Sequence, residues 1–497
     1  MDAPAFLGMI VIPLVASPLI YLAGRLSGAE RTTRVAQVLA VGALAVTWIP
    51  FAVSSADLGT SPTTWTFGAI SLRLDGLSLL LAAVALGLAL MVALFSGSYL
   101  RAEIGQEKFF AMLVAMVGVM IGLGVAADLF NLWIWFEAMA VCSYLLVAFH
   151  REQPAALEAG VKYLVQSAAG SVLVLIGIAL VFAETATLDL AVIQARATAS
   201  PMLLAAGALF VIGFGVKTAL APLHTWLPDA HSMAPSGISA MLSGVVIEAG
   251  LVAMLRSVGA LSGATAIWGP LLLALGAVNM LVGNLMALRQ TQVKRLLAFS
   301  SLAHVGTMLL GIGVAALAGS ALGGQGGLFH MVTHGMMKGL AFLAAGALLF
   351  TLHLQRGDHA PLTIADLSGA ARRYPLAALA LSVGVLGLGG IPPLAGFMSK
   401  WQIFVAGAGV GTALLIGLVV FAALNSVLSL AYYAPLVNAV YRRKASEAVV
   451  QGERMPRTMS VPLIVLACGV VAVGLWPSMM DWLTAPAGQA VAALFGG

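Results

Sequence analysis

The chain has 497 residues, of which 61% are apolar and only 9% charged, with a mean hydropathy of +1.04. A soluble domain carries about 25% charged side chains, so a cytosolic enzyme, a disordered chain and a secreted disulfide scaffold are all excluded. A polytopic membrane protein remains, and each of the 24 basic and 19 acidic residues needs either a loop to sit in or a reason to sit in lipid.

The start, Met1-Asp2-Ala3-Pro4, lacks the basic region of a cleaved signal, so the first apolar stretch is expected to be a retained helix. A helix needs about 20 mostly apolar residues to cross the hydrocarbon core. That length predicts fourteen spans, near 4–24, 33–53, 75–98, 109–127, 128–149, 159–183, 202–221, 235–257, 266–288, 295–316, 324–350, 376–406, 411–440 and 460–480. The longest connections, near 54–74, 351–374 and 441–459, leave no room for a soluble domain. The prediction is an all-α integral membrane protein with a single membrane domain. Helices 1–3 occupy 1–108, and helix 14 occupies 441–497.

The basic residues test this layout. Arg25, Arg31, Arg34, Arg101, Lys108, Arg151, Arg289, Lys294, Arg295, Arg356, Arg372, Arg373, Arg442, Arg443, Lys444, Arg454 and Arg457 fall in connections after odd-numbered spans. Only Arg73, Arg196 and Arg256 follow even-numbered ones. The positive-inside rule then places both termini outside the cytoplasm. These scattered loop charges account for the pI of 9.3 without nucleic acid. Cys142 and Cys468 lie in apolar stretches without C-x-x-C spacing, so no disulfide framework, zinc site or iron–sulfur ligand set is expected.

Four lysines, Lys162, Lys217, Lys338 and Lys400, fall inside predicted spans, as do Glu137 and Glu248. His304, His330 and His334 lie in helices, and His224 and His231 lie beside a helix break. Ionisable groups at membrane depth usually face a wet interior and mark ion or proton paths. Glu137 reads either as such a group or as a carboxylate pinning two helices through an ion pair. Lys217 lies just before Pro222 and Pro228, which interrupt the helix. In the second half Gly389-Gly390-Ile391-Pro392-Pro393 interrupts another helix, and Lys400 follows it. Paired broken helices in two halves point to inverted repeats with a midplane path. Helices 4–8 (109–257) and 9–13 (258–440) are assigned to them.

His330, His334 and Lys338 are spaced i, i+4, i+8, which stacks them on one helix face over about 12 Å. The face is suited to proton transfer or to a polar stripe bonding neighbouring helices. It is less suited to a metal, since no carboxylate sits at ligand spacing and Lys338 repels a cation. Lys162 lies near a helix entrance and reads equally well as a snorkelling side chain. Gly323-Gly324-Gln325-Gly326-Gly327 follows no strand and precedes no lysine–serine pair, so it is not a nucleotide loop. No cofactor site is recognisable in the sequence.

These stretches together resemble the antiporter-like membrane subunits shared by respiratory complex I, group 4 membrane hydrogenases and Mrp-type cation/proton antiporters. The matching residues are Phe130 to Glu137, Lys217 through Thr225-Trp226-Leu227-Pro228-Asp229-Ala230-His231, and Ala234-Pro235-Ser236. Lys294 to His304, His330 to Lys338 and Gly390 to Lys400 also match. The resemblance implies fourteen helices, two inverted five-helix repeats and broken helices 7 and 12. It implies that Glu137 pairs with Lys217. His304, His330, His334 and Lys338 would form a central hydrated axis ending at Lys400. Glu248 departs from the pattern, because many relatives carry a lysine or another non-acidic residue there.

The short segment after helix 14 matches mid-length members. The resemblance further implies a subunit without its own electron-transfer site, in a bacterial or archaeal cytoplasmic membrane. Its partners would be other multi-spanning subunits of a respiratory, hydrogenase-like or Mrp complex. The transported ion would be the proton, with sodium as the alternative. A sodium/proton antiporter subunit and a non-redox ion-coupled uptake partner are the competing functions.

Overall fold

A computed structural model of the chain describes residues 4–28, 32–58, 62–68, 70–358 and 360–496. Arg31 and the Arg356 side chain lie outside the described residues. Helices α1 (Leu7–Leu26) and α2 (Thr32–Asp57) lead into an antiparallel hairpin of β1 (Thr63–Phe67) and β2 (Ile70–Leu74), with Thr63 opposite Leu74. Then follow α3 (Gly76–Tyr99), α4 (Gln106–Val125), α5 (Leu129–Val147), α6 (Pro154–Thr185), the short α7 (Leu190–Arg196) and α8 (Pro201–Thr218). Past a break come α9 (Trp226–Met233), α10 (Ser236–Met241), a π-helical turn at Leu242–Val246 and α11 (Ile247–Ala260). The second half contains α12 (Trp268–Ala287), α13 (Val293–Ala318), α14 (Ala321–Leu352), α15 (Pro375–Gly389), α16 (Ala395–Gly409) and α17 (Ala413–Val440). The chain finishes with α18 (Glu447–Gln451), α19 (Arg457–Leu475) and α20 (Asp481–Leu494).

Among the described residues, 13 helices are long and apolar enough to cross a membrane, counting Ser236–Ala260 as one. The remaining expected span, 376–406, is divided into α15 and α16, each of 15 residues. The protein is therefore a helical membrane protein with the predicted number of spans and two of them broken. Burial shows which helices form its axis. The Ser236–Ala260 window is 100% buried, whereas that of Ala413–Val440 is 22% buried and presents apolar side chains outward to lipid.

Both breaks follow from local chemistry. After α8, Ala219 adopts a left-handed conformation (φ 58°), and Pro222 cannot donate a helical hydrogen bond. Asn279 of α12 takes up the backbone groups thus freed, accepting from Ala221 N–H at 2.7 Å and donating to Ala219 O at 3.3 Å. After α15, Gly390 takes the left-handed position (φ 82°), and the Lys400 ammonium donates to Leu388 O at 2.8 Å. Irregular backbone at membrane depth is tolerated where such partners exist.

Several sequence expectations are corrected. The 54–74 connection holds the hairpin, whose alternating Ile70, Leu72 and Leu74 were too few to register beside long apolar runs. The segment after α19 folds as α20, which lies on α3 and α14. Gly76 permits this contact, since an added Cβ would stand 2.3 Å from the Pro486 carbonyl carbon. Arg256, assigned from sequence to a loop, is 3% exposed in α11. It bonds both carboxylate oxygens of Asp75, at 2.9 and 3.1 Å, together with Ser78 Oγ and Gly124 O. Asp75 also caps α3, accepting from Ser78 N–H at 2.9 Å. Burial pushes the Asp75 pKa up, but the charge and hydrogen bonds of Arg256 outweigh it and hold the carboxyl below its ordinary value. Lys294, also assigned to a loop, is buried at the start of α13.

Candidate functional site

The crossing of two helices creates the centre of the site. Gly244, in the π turn, faces Gly335 of α14, and an added Cβ at Gly335 would sit 2.8 Å from Gly244 O. Only glycine allows this approach. It brings the Glu248 carboxylate against His334, with Oε1 2.8 Å from Nδ1 and both side chains fully buried. The π turn directly precedes Glu248 and shifts the register of its face, a device often found at functional sites. Glu248 Oε2 and His334 Nε2 have no hydrogen-bond partner among protein atoms.

From this pair the titratable groups continue through α13 and α14. The His304 ring lies 5.1 Å from that of His334 and 5.2 Å from that of His330, centroid to centroid. His304 Nδ1 is 3.0 Å from His330 Nε2, and His330 Nδ1 is 2.9 Å from Ser399 Oγ. Thr333 Oγ1 donates to the same Ser399 Oγ at 2.9 Å. Ser399 adjoins Lys400 at the second break. A cavity of about 10 Å³ touches both His304 and Lys400, with Asn284, Asn425 and Tyr432 on its other walls. That is about the room of one water. One turn from His334, Lys338 donates to Leu297 O at 2.6 Å and to Ser300 Oγ. The predicted His330–His334–Lys338 stripe is thus one buried face of α14, and all three side chains are fully enclosed.

The first-half residues are arranged differently. Lys217 ends α8 fully buried, with Nζ 4.4 Å from the centroid of the Tyr163 ring and no hydrogen-bond partner. Tyr163 in turn stacks on Trp226 at 3.9 Å, and Trp226 Nε1 donates to Val216 O, which fixes the ring beside the break. Glu137 on α5 is half-buried, and its Oε1 is also unpartnered. The two do not form an ion pair within 4.0 Å. Lys217 does lie against α11, since an added Cβ at Gly250 would be 3.1 Å from Lys217 Cβ. That is two residues from Glu248.

The further candidates divide. Lys162 is half-exposed and lies in a surface network with Glu158 (2.8 Å) and Asp229 (3.2 Å), which Arg295 also holds at 2.9 Å. His224 meets the edge of Phe299 and lies off the histidine cluster. His231 is fully buried, stacks on Phe342 at 4.8 Å, and has no partner at either ring nitrogen.

Sequence reasoning missed Lys294, which donates to Ala234 O at 2.5 Å and Ser232 O at 3.4 Å on the α9 side of the break. It forms one wall of a cavity of about 50 Å³ shared with Tyr99, Gln153 and Gln292. Ser399, Thr333 and Ser300 were also missed. Hydroxyl residues in an apolar helix are too common to signal a site.

Residues 126–426 match the family described as NADH:quinone oxidoreductase/Mrp antiporter, TM, and residues 68–110 match NADH-Ubiquinone oxidoreductase (complex I), chain 5 N-terminus. The chain is 34% identical over 420 residues to F(420)H(2) dehydrogenase subunit N of Methanosarcina mazei, covering 83% of each chain. It is 31% identical over 432 residues to NADH-quinone oxidoreductase subunit N of Desulforudis audaxviator, covering 81% of this chain and 82% of the relative. A chain of the membrane-bound sulfane sulfur reductase, an archaeal respiratory membrane complex, superposes with a TM-score of 0.86 at 27% identity, with 99% of each chain covered. The chain belongs to the NADH:quinone oxidoreductase/Mrp antiporter family of membrane subunits.

Proposed function

We propose that this chain carries protons across the membrane as an antiporter-like subunit of a redox complex related to NADH:quinone oxidoreductase. The observation that carries the reading is the close-set buried run Glu248–His334–His304–His330–Ser399, with Lys217 near one end and Lys400 at the other. A proton delivered to Glu248 has a hydrogen-bonded site at His334, whose open Nε2 passes it to the adjacent His304 ring by a water or a ring rotation, and the hydrogen-bonded His304 and His330 then relay it. Between His304 and Lys400 the small cavity supports transfer through one water. Lys338, held by Leu297 O and Ser300, lies one turn beyond His334 on the same face of α14.

In this reading 109–257 and 258–440 are the two inverted repeats, 1–108 and 441–497 are flanking helices, and both termini lie outside the cytoplasm. Lys217 has no carboxylate paired with it here. A push from a neighbouring subunit that brings Glu137 to Lys217 would reload it. Lys400 would change its carbonyl partner as the α15–α16 break moves, releasing the proton on the far side. Electron transfer would belong to partner subunits, as the names of the relatives suggest.

The test is the proton stoichiometry of the intact complex carrying Lys400→Ala in sealed vesicles. A lower number of protons per electron pair is expected, and an unchanged number overturns the assignment. The family description also names Mrp antiporters, which supports a second reading as a sodium/proton antiporter subunit. Sodium-dependent proton exchange in vesicles without an electron donor would favour that reading.

A further inference from the structure

A groove away from the proton path has the chemistry of a lipid site. Its floor is the first turns of α4, at Phe109 and Met112. One wall is α1, at Pro18 and Tyr21, and the other is the end of α5, at Leu145 and Phe149. α1 lies on α2 and α4, while α5 lies on α4 and α6, so the gap between α1 and α5 remains open above α4. The cavity there is about 630 Å³, within the roughly 300–1,000 Å³ of small-molecule sites. Phe109 and Phe149, which both line it, meet edge to face at 5.6 Å.

The two cationic side chains of the groove lie at one end, while Ser17 and Tyr21 of α1 are neutral. Lys108 and Arg151 both line the cavity, at the membrane face where the loop arginines gather. Over Ile104 and Gly105 it adjoins a second cavity of about 430 Å³, which contains Arg25 and Arg101 as well as Glu103 and Glu107. Glu103 contacts His150 at 3.3 Å, and Glu152 contacts Arg151 at 3.6 Å with both side chains well exposed. Lys108 has no ion pair among the described residues. An apolar slot along the helix direction, capped by two cations at the headgroup level, is complementary to a phosphate-bearing lipid. It does not suit a soluble anion, which would have no use for the slot, or a neutral lipid, which would have no use for the cations. Basic pockets between helices on the cytoplasmic side recognise anionic headgroups in this way.

We propose that the α1–α4–α5 groove holds one anionic phospholipid, its acyl chain along Phe109, Met112 and Leu145 and its phosphate between Lys108 and Arg151. The bound lipid would seal the gap that helix packing leaves. The test uses the complex extracted in mild detergent, washed of lipid and examined by native mass spectrometry while phosphatidylglycerol or phosphatidylcholine is added back. Phosphatidylglycerol should be retained preferentially, and the Lys108→Gln/Arg151→Gln double variant should bind it roughly tenfold more weakly. A photoreactive phosphatidylglycerol should label 104–112 and 145–157, and Met112→Trp, which fills the slot, should abolish that labelling. Equal retention of both lipids by the wild-type complex overturns the proposal even if the variants fail to assemble. So does cross-linking of a Leu145→Cys chain to a neighbouring subunit that leaves no labelled lipid, because a protein then covers the groove.

Discussion

Asp75 and Glu248 are both buried carboxylates facing a basic side chain, yet they are built for opposite purposes. Asp75 receives two bonds from Arg256 and one from the Ser78 backbone, and Arg256 is tied to Ser78 Oγ and Gly124 O as well, leaving only its Nε without a partner. Glu248 has one oxygen on His334 and the other unpartnered, and the far nitrogen of His334 is open too. A guanidinium never gives up its proton in a protein, so the first pair is a fixed clamp joining α3, α4 and α11. An imidazole and a carboxylate can exchange one, and their open atoms are where the next donor or acceptor would connect. Saturation marks the structural pair, and incompleteness marks the pair proposed for transport.

The comparison can be broken most severely at the clamp. Arg256→Ala leaves the buried Asp75 with only Ser78 and a 3.6 Å contact to the part-exposed Arg73, and breaking a buried pair in this way costs at the low end of about 3–5 kcal/mol. Thermal unfolding of the purified complex should show the chain destabilised or lost from the assembly. Stability within about 1 kcal/mol of wild type would mean that the clamp is dispensable. Its pH dependence has a definite sign. The folded pKa of Asp75 is depressed, so its contribution is fully present above the unfolded value near 3.9 and is lost only as pH falls through the lower folded value. Between about pH 5 and 8 the clamp should not respond, and a melting temperature that tracked this pair in that range would contradict the assignment.

A smaller structural effect and a larger transport effect are expected at the other pair. Glu248→Gln keeps the shape and a hydrogen bond to His334, so folding should change by less than about 1 kcal/mol. The amide cannot take a proton and pass it on, so pumping through this chain should fall by roughly 100-fold or more, the usual scale for removing a proton-transfer group. Full flux with normal stability would remove Glu248 from the path and leave the histidines to conduct alone.

The sequence revealed these two pairs unequally. His330, His334 and Lys338 were legible because helical spacing alone puts them on one face, and both breaks were legible because proline and glycine act locally. The partner of His334 was not, because it depends on the Gly244–Gly335 crossing and on a π turn that no residue in Leu242–Val246 announces. Arg256 was misplaced because a charge near the end of an apolar stretch reads as a loop residue until its partner, 181 positions away, is brought beside it. The Glu137–Lys217 ion pair, implied by resemblance, is not made within 4.0 Å here, and no local sequence signal gives that distance.

The mildest test concerns a lysine that shares the predicted spans but has neither design. Lys162 is half-exposed, with Glu158 one helical turn away and Asp229 held independently by Arg295. Exposed pairs of this kind gain little, because water screens the attraction and long side chains lose freedom in making it. Lys162→Ala should therefore leave the melting temperature within about 2 °C of wild type and proton stoichiometry unchanged. A loss of pumping at this position would show that the Asp229 network feeds the axis. The distinction between saturated and incomplete sites would then have to extend to the membrane surface.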